Sequence, residues 1–188
     1  MRLSLHGLWQ DLKDKICKQT RMNMEFSSYL KGPALLKLAA AILFCEIAGS
    51  LGSVVTTPGP GSWYSSLVKP FFAPPAWVFA PVWITLFALM GIALFLVWEL
   101  GTGKPEVRFA LGIFGVQFVF NIIWSFLFFG LKSPLLGLID IIILWWLILA
   151  TIVVFYRVRK GAAYFLIPYI AWVSIATVLN ASIFLLNP

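Results

Sequence analysis

Five apolar runs, each about 18 residues or longer, leave this chain few ways to fold. They lie near Leu38 to Val55, Trp77 to Val97, Phe109 to Gly130, Leu135 to Phe155 and Ala162 to Leu186. Runs of that length match the thickness of a bilayer. Lipid offers the backbone no hydrogen-bond partner, so segments this long and this poor in alternation must be helices rather than barrel strands. Composition closes the soluble alternative: the 188 residues are 61% hydrophobic and 11% charged, more apolar surface than a soluble domain of this size can hide. The expected fold is an all-α integral membrane protein, a five-transmembrane-helix bundle over residues 34–188. Residues 1–33 form a separate polar tail of mixed charge with scattered Leu, Trp and Ile, able to lie on the membrane as an interfacial helix. Charges interrupt any apolar core of signal-peptide length before Pro33, and Asp11, Asp14 and Glu25 argue against a targeting peptide.

The net charge of +7 invites a nucleic-acid reading, but its placement decides otherwise. With the N-terminus on one side, that side receives the basic residues of the tail and Lys37, then Lys104 and Arg108, then Arg157, Arg159 and Lys160. Only Lys69 and Lys132 fall on the other. The bias puts the N-terminus in the cytoplasm, the C-terminus on the opposite side and the loop between the first two spans outside. Charge here sets orientation and implies no nucleic-acid partner. Cys17 and Cys45 lie in the tail and inside a span, which gives a disulfide framework no support.

That first loop, Ser62 to Trp83, is unusual. Loops ordinarily turn in water with Gly, Asn, Asp and Ser, whereas this one carries Trp63, Tyr64, Trp77 and Trp83 among Pro70, Pro74, Pro75 and Pro81. Proline stiffens it, and the aromatic surface stands where membrane meets water, as a lid or ligand wall would. An interfacial belt that anchors helices and binds nothing has the same composition. Trp98 and Trp145 are assigned to such a belt or to the lipid face.

Polar residues inside the spans are the other candidates for function. Gln117, Asn121, Trp124 and Ser125 recur at helical spacing in the third span, and the fifth adds Trp172, Ser174, Ala176, Thr177 and Asn180. Amides can simply join helices; alternating with indoles on one face, they suit a flat aromatic ligand. Glu46 and Asp140 lie within spans without an intramembrane Lys, Arg or His, and the single His6 is in the tail, which argues against a proton relay. Ala41, Cys45, Gly49 and Ser53 form a small-residue ridge in the first span, echoed by Gly112 and Gly115 in the third, for helix packing or a dimer seam. No phosphate loop, metal-spaced His or Cys cluster or Ser–His pair is present, so ordinary acid–base enzymology is not expected.

The ordered set Trp63-Tyr64, Leu67, Lys69-Pro70, Pro74-Pro75, Trp77-Val78, Pro81-Val82-Trp83, Met90-Gly91 and Trp98 resembles the signature of the translocator protein family, also called tryptophan-rich sensory proteins or peripheral-type benzodiazepine receptors. Gln117, Asn121, Trp124, Phe128-Phe129-Gly130, Asp140, Pro168-Tyr169, Trp172 and Ala176-Thr177-Val178-Leu179-Asn180 continue the match through residues 38–187. The resemblance implies a five-helix bundle, commonly a homodimer, with a pocket beneath the first loop. Family ligands include protoporphyrin IX, haem-related tetrapyrroles, isoquinoline carboxamides and benzodiazepines, bound without a required cofactor. Carried over, the pocket comprises Trp63, Tyr64, Trp83, Phe87, Gln117, Asn121, Trp124, Trp172 and Ala176, with Pro70, Pro74 and Pro75 in the lid. The implied role is receptor or carrier in tetrapyrrole regulation or stress sensing; alternatives are light-dependent porphyrin degradation and structural regulation of another membrane complex. One departure stands out: the end of the fifth span, ATVLNASIFLLNP, lacks the Tyr and basic residue of the animal sterol motif, which argues against tight sterol binding.

Overall fold

The computed structural model of the chain describes residues 10, 32–56 and 61–187. The interfacial helix expected within residues 1–33 lies almost wholly outside the described residues, as do His6 and Cys17. Among the described residues every regular element is helical. Helix α1 (Gly32–Ser50) tightens into a 3-10 turn, Leu51–Val55; α2 (Trp63–Ser66) is a single turn in the first loop; and a 3-10 turn, Ala76–Val78, leads into α3 (Phe79–Trp98). Helix α4 (Pro105–Ser125) widens into a π turn, Phe126–Gly130, and α5 (Pro134–Val158), α6 (Lys160–Tyr164) and α7 (Ile167–Leu186) complete the chain.

Five stretches of the described residues are long and apolar enough to cross a membrane: Gly32–Val55, Ala76–Trp98, Pro105–Gly130, Pro134–Val158 and Lys160–Leu186. Each begins one to six residues before the corresponding apolar run, the first and third by the most. Proline marks the helix starts at those two and at the fourth. Pro33, Pro105, Pro134 and Pro168 all stand in the first turn of a helix, where a missing N–H costs nothing and a fixed φ helps. Ser133 caps α5, its hydroxyl accepting from the Leu136 N–H at 3.3 Å. Gly101, at φ +91°, supplies the left-handed residue after α3 that L side chains adopt only with strain.

The chain divides into two compact units, the second beginning at Ala40 within α1. The described part of the first is chiefly the start of α1, where Leu35 and Leu36 are exposed. The second unit contains the core. Its centre is Met90, Val97, Phe114, Ile148, Phe155 and Tyr169, all buried. Phe114 stacks on Phe118 at 5.9 Å and on Phe155 at 5.8 Å, tying the third span to the fourth. Large apolar side chains such as Phe109, Ile139, Trp146 and Ile175 point outward; in water they would be a liability, and lipid accepts them.

Part of the small-residue ridge of the first span packs within the unit, while its last member, Ser53, is exposed. Ala41 and Cys45 are buried, the Phe87 ring covers Gly49, and a Cβ on Gly91 would stand 2.5 Å from the Ile42 Cα. Gly112 and Gly115 have nothing within 4 Å of where a Cβ would be, so their face of the third span is open. Trp145 departs from the lipid-face expectation: it is half-buried, and its indole N–H donates to Ser174 Oγ at 2.8 Å. Trp146 is the one that faces outward.

Candidate functional site

Between the first three spans and the first loop lies a cavity of ≈ 920 Å³. The first span contributes Glu46, Gly49, Ser50, Gly52, Ser53 and Thr56, mostly small side chains that leave room. Phe79, Trp83 and Phe87 succeed one another at intervals of four and put three rings on one face of α3. Trp83 stacks on Phe87 at 5.3 Å with a 27° interplanar angle. The third span supplies Asn121, Trp124, Ser125 and Phe129, and the loop closes the top with Tyr64, Ser65, Lys69, Ala73, Pro74 and Pro75.

Two polar wall residues of the third span, Asn121 and Trp124, are positioned from behind. Asn121 Nδ2 donates to the Tyr169 hydroxyl at 3.0 Å, and that hydroxyl donates to Gln117 Oε1 at 3.1 Å. Trp124 Nε1 donates to Asn180 Oδ1 at 3.2 Å, while Asn180 Nδ2 donates to the Pro134 carbonyl at 2.8 Å. The third span is thereby tied to the fifth, and the fifth to the start of the fourth, which fixes the Trp124 indole. Trp124 also stacks on Phe128 at 5.1 Å. In the loop, the Ser62 side chain caps α2, Asn187 holds Val68, and Lys69 Nζ donates to the Leu67 carbonyl at 3.2 Å while lying 4.9 Å from the Tyr64 ring centroid.

The Tyr64 hydroxyl is buried without a partner among the described residues, and burial raises its pKa above the ordinary tyrosine range. Its hydrogen is unspent among the described residues, while the Tyr64 side chain borders the cavity. The Gln117 Nε2 and Trp172 Nε1 groups are likewise buried and unpartnered among those residues.

Of the residues marked out in the sequence, Tyr64, Trp83, Phe87, Asn121, Trp124, Pro74 and Pro75 line the cavity. Five others stand off its wall. Trp63 turns to Phe128, 5.5 Å away, and lines a smaller pocket of ≈ 210 Å³ with Val55 and Lys132. Pro70 starts a turn whose carbonyl accepts from the Ala73 N–H at 3.0 Å. Gln117 sits behind Asn121 across Tyr169, Trp172 packs edge-on against Phe79 at 5.9 Å, and Ala176 packs against the main core. Phe79, Lys69 and Phe129 are wall residues that sequence reasoning missed. Phe79 was open to discovery, being one helical repeat before Trp83. Phe129 was not: the π turn adds a residue per turn and rotates the side chains beyond it, so spacing counted from Trp124 fails. Glu46 borders the cavity and Asp140 does not; Asp140 is buried, with one carboxylate oxygen unpartnered among the described residues.

Comparison with known proteins agrees with this architecture. The model of the TspO/MBR family matches residues 41–186. The tryptophan-rich protein TspO of Chlorobaculum tepidum is 47% identical over 155 residues, covering 82% of this chain and 98% of that protein. The tryptophan-rich protein TspO of Archaeoglobus fulgidus is 43% identical over 153 residues, 81% of this chain and 98% of its own. The translocator protein of Homo sapiens is 39% identical over 139 residues, 71% and 82% respectively. The chain belongs to the TspO/MBR family and is an integral membrane protein.

Proposed function

We propose that this TspO/MBR-family protein is a membrane receptor or carrier that binds porphyrins and haem-related tetrapyrroles, protoporphyrin IX among them, in the service of tetrapyrrole regulation or stress sensing. The cavity carries the reading. Its ≈ 920 Å³ lies at the upper end of the roughly 300–1,000 Å³ of ordinary ligand sites, and six aromatic side chains, Tyr64, Phe79, Trp83, Phe87, Trp124 and Phe129, stand in its wall. A flat macrocycle finds Trp83, Phe87 and Trp124 to lie against, and the Lys69 ammonium at the mouth for an acidic substituent. No cofactor is required for binding of this kind. The protein works in the bilayer as a homodimer, with its N-terminus cytoplasmic and its C-terminus on the other side; tight sterol recognition is not part of the proposal.

Titration of the purified protein with protoporphyrin IX in darkness, monitored by tryptophan quenching, should give saturable one-site binding per chain. Quenching that never saturates would remove the porphyrin reading. A second reading, light-dependent porphyrin degradation, draws on the placement of Trp83 and Trp124 in the wall, where indoles can donate electrons to an excited ligand. New absorbance bands that form only under illumination, and fade in Trp124→Phe, would favour it.

A further inference from the structure

Glu46 and Lys69 are the two charged residues on the cavity wall, and they occupy opposite ends of it. Lys69 is in the loop. Glu46 is far along the first span: the end of α1 and the Leu51–Val55 3-10 turn separate it from Thr56, next to the loop, by roughly 15 Å at about 1.5 and 2.0 Å per residue. Neighbouring contacts fix its level. Gly52 abuts Ser125, a Cβ there falling 2.6 Å from its Oγ, and Phe44 stacks on Phe118 at 5.9 Å. Glu46 lies between Phe44 and Gly52, so it stands near the depth of Asn121, at the inner end of the cavity.

No hydrogen bond or ion pair to the Glu46 side chain is present among the described residues. A carboxyl at this depth is costly unless something pairs with it, and unpaired acids inside spans are ordinarily explained by a ligand or ion pathway. The groups around it accept no such duty. Ser50, one turn on, donates its hydroxyl to the Ile47 carbonyl at 2.7 Å, and Asn121 gives an amide hydrogen to Tyr169. Ser125, Phe87 and Gly49 offer Glu46 no cation.

We propose that Glu46 is a specificity-determining residue: its carboxyl takes an ammonium or N–H donor on the inner edge of a flat apolar ligand, so the cavity selects molecules carrying a nitrogen donor at one end. With Lys69 at the mouth, the preferred class is amphoteric, nitrogen-basic at the leading edge and acidic at the trailing one. The inference rests on the cavity being the ligand site. It does not require that the ligand be a porphyrin.

Two probes sharing one aromatic body test it. The full-length protein, Glu46→Gln and Glu46→Leu are each titrated with 1-pyrenemethylamine and with 1-methylpyrene, read by energy transfer from tryptophan to pyrene. The unsubstituted protein should bind the amine about tenfold more tightly than the methyl compound, as a charge-assisted hydrogen bond predicts. Glu46→Leu should erase the difference, and Glu46→Gln, which keeps the shape, should leave a small remainder. Equal affinities in the unsubstituted protein, or the same preference in Glu46→Leu, overturn the proposal and make Glu46 a hydrated wall residue only. Protoporphyrin IX titrated on the same three proteins keeps the readings apart. Amine preference without porphyrin binding defeats the porphyrin reading alone; porphyrin binding without amine preference defeats this one alone.

Discussion

The side-chain amide of Asn187 pairs with the backbone of Val68 as one strand pairs with another. Its Oδ1 accepts from the Val68 N–H and its Nδ2 donates to the Val68 carbonyl, each at 3.0 Å, across a sequence separation of 119 residues. The same Nδ2 reaches the Ile183 carbonyl at 2.8 Å, which orients the amide on the last turn of α7. The loop that roofs the cavity is thus latched to the end of the fifth span. Both bonds are at the exposed surface, where each is worth about 0.5–1.5 kcal/mol net. A latch of that strength holds the loop down without locking it.

Asn187→Leu should therefore open the roof without unfolding the bundle. Ligand dissociation, monitored by stopped-flow recovery of tryptophan fluorescence, should speed up severalfold, on the scale of about 1–2 kcal/mol for two such bonds. Amide exchange at Val68 should rise in parallel. Unchanged exchange at Val68 would mean that the prolines alone hold the loop.

The wall tryptophans can be separated from the rest by substitution. Trp83→Leu and Trp124→Leu remove rings that face the cavity and should each weaken porphyrin binding about fivefold, from ring contact of about 1 kcal/mol. Trp146→Leu, on a side chain that is 63% exposed, is the control and should change nothing. Trp172→Leu acts only through Phe79 and should fall between them. A Trp146 effect equal to that of Trp124 would place the ligand outside this cavity.

Much of this fold was legible because the bilayer imposes it: length and hydropathy alone fix five helices where no other backbone state is satisfied. Which way each residue faces was far less legible. In a soluble helix, polarity separates the core face from the solvent face, but lipid is as apolar as the core, so Ile141 inside and Ile142 outside look alike in the sequence. The neighbours Trp145 and Trp146 show the same degeneracy. Polar residues broke it where they occurred, since Asn121 and its spacing to Trp124 pointed to the cavity side. Helix ends marked by proline rather than by polarity, and the register change at Phe126–Gly130, had no hydropathy signal to find.

Behind the wall, Tyr169 is the joint of a buried polar chain. Tyr169→Phe keeps the ring but leaves Gln117 Oε1 and Asn121 Nδ2 without their partner. The cost should be about 1–3 kcal/mol, the usual penalty for a stranded buried polar group. Thermal unfolding in detergent should register it as a lower midpoint. Asn121, released from Tyr169, can turn its amide to the cavity, so binding of an acceptor-bearing ligand should suffer less than stability does. A midpoint equal to that of the unsubstituted protein would mean that water replaces the hydroxyl.

Two glycines distinguish packing from cavity shape. At Gly91 a methyl group would meet backbone, with the Ile42 Cα at 2.5 Å, the Ile42 nitrogen at 2.9 Å and the Ala41 carbonyl oxygen at 3.0 Å. Backbone cannot step aside without separating the first two spans, so Gly91→Ala should cost about 1–3 kcal/mol, the usual penalty of overpacking, and lower the unfolding midpoint. At Gly49 the methyl group would meet the far end of the Phe87 ring, which can swing aside, and the space open to it is the cavity. Gly49→Ala should leave the midpoint nearly in place and weaken ligand binding instead. Measuring both quantities on both variants tests the distinction. If Gly49→Ala lowers the midpoint as much as Gly91→Ala and leaves affinity intact, the Phe87 ring is held rigidly by Trp83 and Phe118, and the cavity floor is part of the core rather than an adjustable surface.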